Sequence, residues 1–170
     1  MRFALVLLGL ALIGHVFGGA LIRGETIRAQ GETILLRTAP ADPRAFLLGD
    51  FMRLRYREEP PREVIGDMPE GMAVLSVDAN DVGTFVRLHD GETLADDERL
   101  MRFTAGGRGR GRDGTYGGER YYFQSGTGER FVGARYGVFK VMPDGRAVLS
   151  GLADADRRVI AVAGEAPATE

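Results

Sequence analysis

Phe3 to Ile22, FALVLLGLALIGHVFGGALI, is a run of 20 residues with no formal charge. Wound as an α-helix it is about 30 Å long, the thickness of a bilayer's hydrocarbon core. Twelve of its residues are Leu, Ile, Val or Phe. Each favours insertion by roughly 0.3–0.6 kcal/mol, which together outweighs four glycines and His15. A cleaved signal sequence is the competing reading, because Gly18-Gly19-Ala20 places small residues where a peptidase would cut. The run is longer than a usual signal core and continues through Leu21 and Ile22, which favours an uncleaved anchor over residues 1–24.

Arg2 and the amino terminus precede the segment, whereas Arg23, Arg28 and Arg37 follow it. That bias alone would hold the following part inside, but long domains are translocated regardless of charge. The expectation is a single-pass protein of the cell membrane with its remaining domain on the extracytoplasmic side. His15 is an ionisable group within the apolar run. It lies beside Gly14-xxx-Gly18, a spacing that lets helices approach closely. Gly14, His15 and Gly18 therefore mark a face for a partner helix.

The remaining chain has turn-punctuated apolar runs of period two. Glu32–Thr38 reads as a strand, closed by APADPR with its two prolines. In FMRLRYR, Met52, Leu54 and Tyr56 fall on one face, and Phe51, Arg53, Arg55 and Arg57 on the other. Met72–Asp78 and Gly83–His89 make two further strands joined by Ala79-Asn80-Asp81-Val82. Two β-rich runs flank Pro143-Asp144-Gly145, a turn in which proline presets one φ and glycine accepts a positive one. RRVIAV, from Arg157, supplies a last strand, and Ala95–Phe103 a short helix capped by Asp96 or Asp97. The fold class expected is mainly β: one N-terminal transmembrane helix, then a single mostly antiparallel β domain with minor helix over residues 25–162. Residues 163–170 form a flexible tail.

The segment GDFMRLRY resembles the Gly-Asp-Tyr-x-x-Leu-x-Tyr signature of the bacterial GDYXXLXY family. Gly49, Asp50, Leu54 and Tyr56 match, and Phe51 stands where the signature has tyrosine. Pro40, Asp42, Pro43 and Arg44 are similar to that family's approach to the motif. YGGERYYFQSGTG resembles a second family segment through Tyr116, Gly117, Glu119, Tyr121 and Tyr122, with Ser125 replacing an acidic residue before the glycine. The resemblance implies a membrane-anchored protein without a defined activity, whose relatives stand beside or are fused to a multi-pass membrane protein. It supplies no catalytic residues. Physically, Gly49 and Asp50 suit a tight turn into a strand. Leu54 and Tyr56 pack inward, the tyrosine hydroxyl needing a partner, and Phe51 stacks on an arginine. As an alternative, Asp42, Arg44 and Asp50 gather as a polar recognition cluster.

Composition narrows the chemistry. With no cysteine, thiolate catalysis, disulfides and cysteine-ligated zinc are excluded. A net charge of -2 and 44% apolar content argue against a disordered tail or a general polyanion binder. A serine–lysine hydrolase would draw its nucleophile from Ser76, Ser125 or Ser150 and its base from Lys140, the only lysine, buried to lower its pKa. No serine sits in a nucleophile motif. His89-Asp90-Gly91 reads as a turn, and Asp78, Asn80 and Asp81 lack the offsets of a calcium loop; no metal and no cofactor are expected. Arg108, Arg110 and Arg112 alternate with glycine near Tyr116, as in RNA-binding segments. In an exported domain they fit a loop, or a contact with anionic lipid headgroups or an acidic partner surface, and not nucleic acid. The function expected is a membrane-anchored accessory or interaction protein of the bacterial envelope that partners a multi-pass membrane protein, with no catalytic activity. The alternative is a membrane-tethered serine/lysine-type hydrolase using Ser125 or Ser150 with Lys140.

Overall fold

Ile34-Leu35-Leu36 are three buried apolar residues in succession, so the strand that holds them must be covered on both faces. The computed structural model, which describes residues 24–39, 51–105, 113–123 and 126–161, shows how. Residues 24–30 are helical and turn at Gly31 directly into strand β1 (Glu32–Arg37). The order that follows is β2 (Phe51–Arg53), a short helix (Arg62–Ile65), β3 (Glu70–Val77), β4 (Gly83–Leu88), β5 (Glu98–Ala105), β6 (Gly114–Thr115) and β7 (Arg120–Tyr122). A 3-10 turn (Gly128–Phe131), β8 (Tyr136–Val141) and β9 (Ala147–Ala153) complete it. All named strand pairs are antiparallel, in three sheets ordered β1-β8-β9, β2-β7 and β4-β3-β5-β6. The fold is mainly β with minor helix, as the alternation implied. Among the described residues no helix is long and apolar enough to cross a membrane; the expected anchor, with Gly14, His15 and Gly18, lies outside them, as does the tail.

One core joins the sheets. Ile34 and Leu36 of β1, Leu75 of β3, Met101 and Phe103 of β5, Phe139 of β8 and Leu152 of β9 all meet in it. On β1's other face, Leu35 packs with Val82, Val138 and Ala153. The edge of β1 away from β8 is also occupied. Leu35 N donates to Asp81 O at 2.8 Å, and farther along Arg57 N donates to Arg37 O at 3.0 Å and Ala39 N to Arg55 O at 2.8 Å. The β8–β9 turn forms as its residues dictate, with Gly145 at φ +80°. It docks on β5, where Arg102 N donates to Gly145 O at 2.8 Å.

Two expectations are corrected. Ala95–Phe103 is not a helix: Glu98–Ala105 is β5, paired with β3 from Glu70↔Thr104 to Ser76↔Glu98. Its inner positions, Met101 and Phe103, are spaced by two, and burying them offsets any local capping preference at Asp96 or Asp97. Asp97 instead accepts from Ser76 Oγ at 2.7 Å. RRVIAV forms no strand within the described residues. A turn at Asp154–Arg158, with Arg157 at φ +64°, leaves a single bridge from Ala153 to Val159.

Candidate functional site

The segment after β2 alternates without a break. Met52, Leu54, Tyr56 and Glu58 are buried, while Arg53, Arg55 and Arg57 are exposed. Only three residues qualify as strand, but a Thr38↔Tyr56 bridge extends the ladder along the end of β1. β2 pairs with β7 as Phe51↔Tyr122, Met52↔Tyr121 and Arg53↔Arg120. The two segments that carry the resemblance are therefore neighbouring strands.

Two tyrosines lock them reciprocally. Tyr56, from the first segment, donates its hydroxyl to Gly118 O of the second at 3.1 Å. Tyr116, from the second, donates to Glu58 O of the first at 2.7 Å. Leu54 N donates to Glu119 O at 2.7 Å between them. Tyr56 is 3% exposed, so its hydroxyl must have such a partner. Its ring meets Phe139 edge-on at 5.1 Å and lies over Gly137, where an added Cβ would come within 2.6 Å of Cε1. Tyr121 and Phe123 pack on Phe131 at 5.2 and 5.4 Å. Gly118, at φ +69° against Leu149, turns the chain between Tyr116 and β7.

The clasp encloses acid groups. Glu58 is 5% exposed. Arg37 Nη1 donates to its Oε1 at 3.0 Å, while Oε2 is buried with no partner among the described residues. Burial pushes this carboxyl up, and the hydrogen bond and charge of Arg37 act against that. Half-buried Glu59 is pushed up to about 7, by burial first and also by the carboxylates of Glu119 and Asp113; a hydrogen bond from the Tyr56 backbone and the charge of Arg55 oppose this. The same burial and acid groups drive both phenols upward, Tyr56 beside Glu59 and Glu119, Tyr116 beside Glu58 and Glu59. At neutral pH the hydroxyls keep their protons and act as donors, and the carboxyls of Glu58 and Glu59 are both pushed toward their protonated forms. Among the described residues no group of three or more His, Cys, Asp or Glu is placed to hold a metal ion.

The clasp brings together Phe51, Leu54, Tyr56, Tyr116, Gly117, Glu119, Tyr121 and Tyr122. Phe51 faces outward, 5.7 Å from Tyr122 and with the Arg120 guanidinium 5.8 Å from its ring; the stacking arginine comes from β7. Pro40, Asp42, Pro43, Arg44, Gly49 and Asp50 lie outside the described residues, as do Arg108, Arg110, Arg112 and Ser125. Lys140 Nζ donates to Thr33 Oγ1 at 2.9 Å, and Ser150 Oγ donates to Val138 O at 3.0 Å; neither of these bonds joins lysine to serine. Asp78 Oδ1 accepts from Asn80 N and Val82 N, a turn of the strand connection.

Glu58, Glu59 and Arg37 were not singled out by sequence. One signal was present for Glu58: the period of two, counted one step past Arg57, turns it inward. The chain matches no curated protein and no solved structure. A family model described as GDYXXLXY protein matches residues 14–152, a span that takes in both halves of the clasp, and the chain belongs to that family.

Proposed function

We propose that this chain is a non-catalytic, membrane-anchored accessory protein of the bacterial envelope. Residues 1–24 form its anchor helix and pack against a multi-pass membrane protein through Gly14, His15 and Gly18. The β domain sits on the extracytoplasmic side as an interaction module. The clasp carries this reading: Tyr56 and Tyr116 donate their hydroxyls to backbone carbonyls, a structural use of both groups. Two further features support it. Residues 24–30 are helical and lead straight into β1, so no long linker separates an anchor from the β domain. The uncharged run is long enough to span a bilayer and carries the small-residue spacing of a helix–helix contact.

The test is purification from native membranes in mild detergent through a carboxy-terminal tag, with mass spectrometry of what co-elutes. A stoichiometric multi-pass protein is expected, and Gly14→Leu/Gly18→Leu should release it while Lys140→Ala does not. A chain that elutes alone, or that appears in the soluble fraction without its first twenty residues, overturns the reading.

A further inference from the structure

The outward face of the clasp pairs like with like. Arg53 and Arg120 are directly opposed across the β2–β7 ladder. Both are exposed, and neither has an ion-pair partner among the described residues. Like charges at directly opposed positions destabilise a strand pair. Arg55 continues the row on the same outward parity and Arg57 stands in the turn that follows it, both exposed and without an ion pair among the described residues. Phe51 and Tyr122 close one end of the row, Tyr122 being 67% exposed. This concentration of cations occurs in a chain of net charge -2, whose other arginines include seven held in ion pairs.

We propose that this face binds an extended acidic segment of a partner protein, with carboxylates on Arg53, Arg120, Arg55 and Arg57 and an apolar side chain against Phe51 and Tyr122. The spacing selects the occupant. Alternate residues of an extended chain are about 6.7 Å apart, so Arg53 and Arg55 match carboxylates at every second position of an extended peptide, with Arg120 beside the first and Arg57 in the turn beyond the second. Each guanidinium can take a carboxylate in a forked, charge-assisted pair, and the flanking rings add an apolar stop. A lipid surface offers negative charge without that repeat. The proposal rests on the interaction-module reading and names the chemistry of its partner.

The experiment uses the full chain in uncharged phosphatidylcholine nanodiscs. Binding of a fluorescein-labelled decapeptide of alternating Glu and Thr is followed by anisotropy, with the Lys-Thr analogue as control. Saturable binding of the acidic peptide is expected, weakening as salt rises. Arg53→Gln/Arg120→Gln should weaken it about tenfold or more. That variant should unfold within a few degrees of the parent, because it removes a like-charge pair and, with it, the Arg120 contact on the Phe51 ring. Arg55→Gln/Arg57→Gln tests the other end independently. No saturable binding, or equal binding by both variants and the parent, overturns the proposal. So does flotation with phosphatidylglycerol vesicles that requires these arginines when the peptide does not bind. If the peptide fails while a multi-pass protein still co-purifies through the anchor, this proposal falls and the accessory reading stands.

Discussion

Glu59→Gln should stabilise the protein at pH 8 and leave its stability unchanged at pH 4. The carboxyl is moved from its ordinary 4.5 to about 7, chiefly by burial and then by the charges of Glu119 and Asp113. Below pH 4.5 the group is protonated in both the folded and the unfolded chain, and it costs nothing. Between 4.5 and 7 the unfolded chain ionises first, so stability falls as pH rises. Above 7 the full cost is in place and no longer changes. Each pH unit of displacement is worth about 1.4 kcal/mol, which gives some 3 kcal/mol undiscounted. Solvent screening at a half-buried position reduces this to about 1–2 kcal/mol.

Glutamine keeps the shape and the neutral form, so the variant recovers that cost only where the parent is ionised. For a chain of this size the gain corresponds to about 2–8 °C in Tm. Thermal unfolding by circular dichroism, parent against variant at pH 4, 6 and 8, reads it directly, and taking the difference removes the contribution of the other acids. Glu119→Gln should also raise Tm at pH 8, by less, because it relieves one of the repelling charges. An equal gain at pH 4 and pH 8 would refute the electrostatic account. A loss at pH 8 would show that ionised Glu59 is a stabilising partner instead.

Tyr56→Phe and Tyr116→Phe each delete one bond of the clasp and leave a carbonyl with one partner fewer, at a cost of about 1–2 kcal/mol in chemical denaturation. The double variant should lose less or more than the sum, since both bonds hold the same pair of segments; strict additivity would mean that the two locks are independent. Gly137→Ala places a methyl 2.6 Å from Tyr56 Cε1. Overpacking there should cost about 1–3 kcal/mol, and Tyr56→Leu in the same chain should recover part of it; an undiminished Tm in the single variant would show that the ring moves aside freely.

What the sequence makes legible, and what it does not, follows from the range of the forces involved. β3, β4 and the β8–β9 hairpin have local signatures: a continuous apolar run in β3, alternation in β4, and two β-rich runs about a Pro-Asp-Gly turn in the hairpin. β5 has the same alternation at Met101 and Phe103, but Asp96-Asp97 just before it and Glu98 at its start imitate a helix start, and only pairing with β3 decides between them. β2 shows in the alternation of FMRLRYR, but β7 is three residues long, and the two find one another across about seventy residues of chain, which no local pattern records. The tyrosines on either side of that ladder explain how so short a pairing holds, because each hydroxyl reaches the backbone of the opposite segment. Glu59's displaced pKa comes first from burial and then from Glu119 and Asp113, both brought about by the same closure, so no reading of neighbours along the chain contains it.

Parity then divides the signature into two jobs. Met52, Leu54, Tyr56 and Glu58 face in and build the clasp, so substitutions there act first on stability. Phe51, Arg53, Arg55 and Arg57 face out. The three arginines form no ion pair among the described residues. Phe51 does have neighbours: Tyr122 stands across the ladder at 5.7 Å and the Arg120 guanidinium lies 5.8 Å from its ring. An aromatic residue at position 51 therefore joins β2 to β7 from the outward side, as Tyr56 and Tyr116 join the two segments from within.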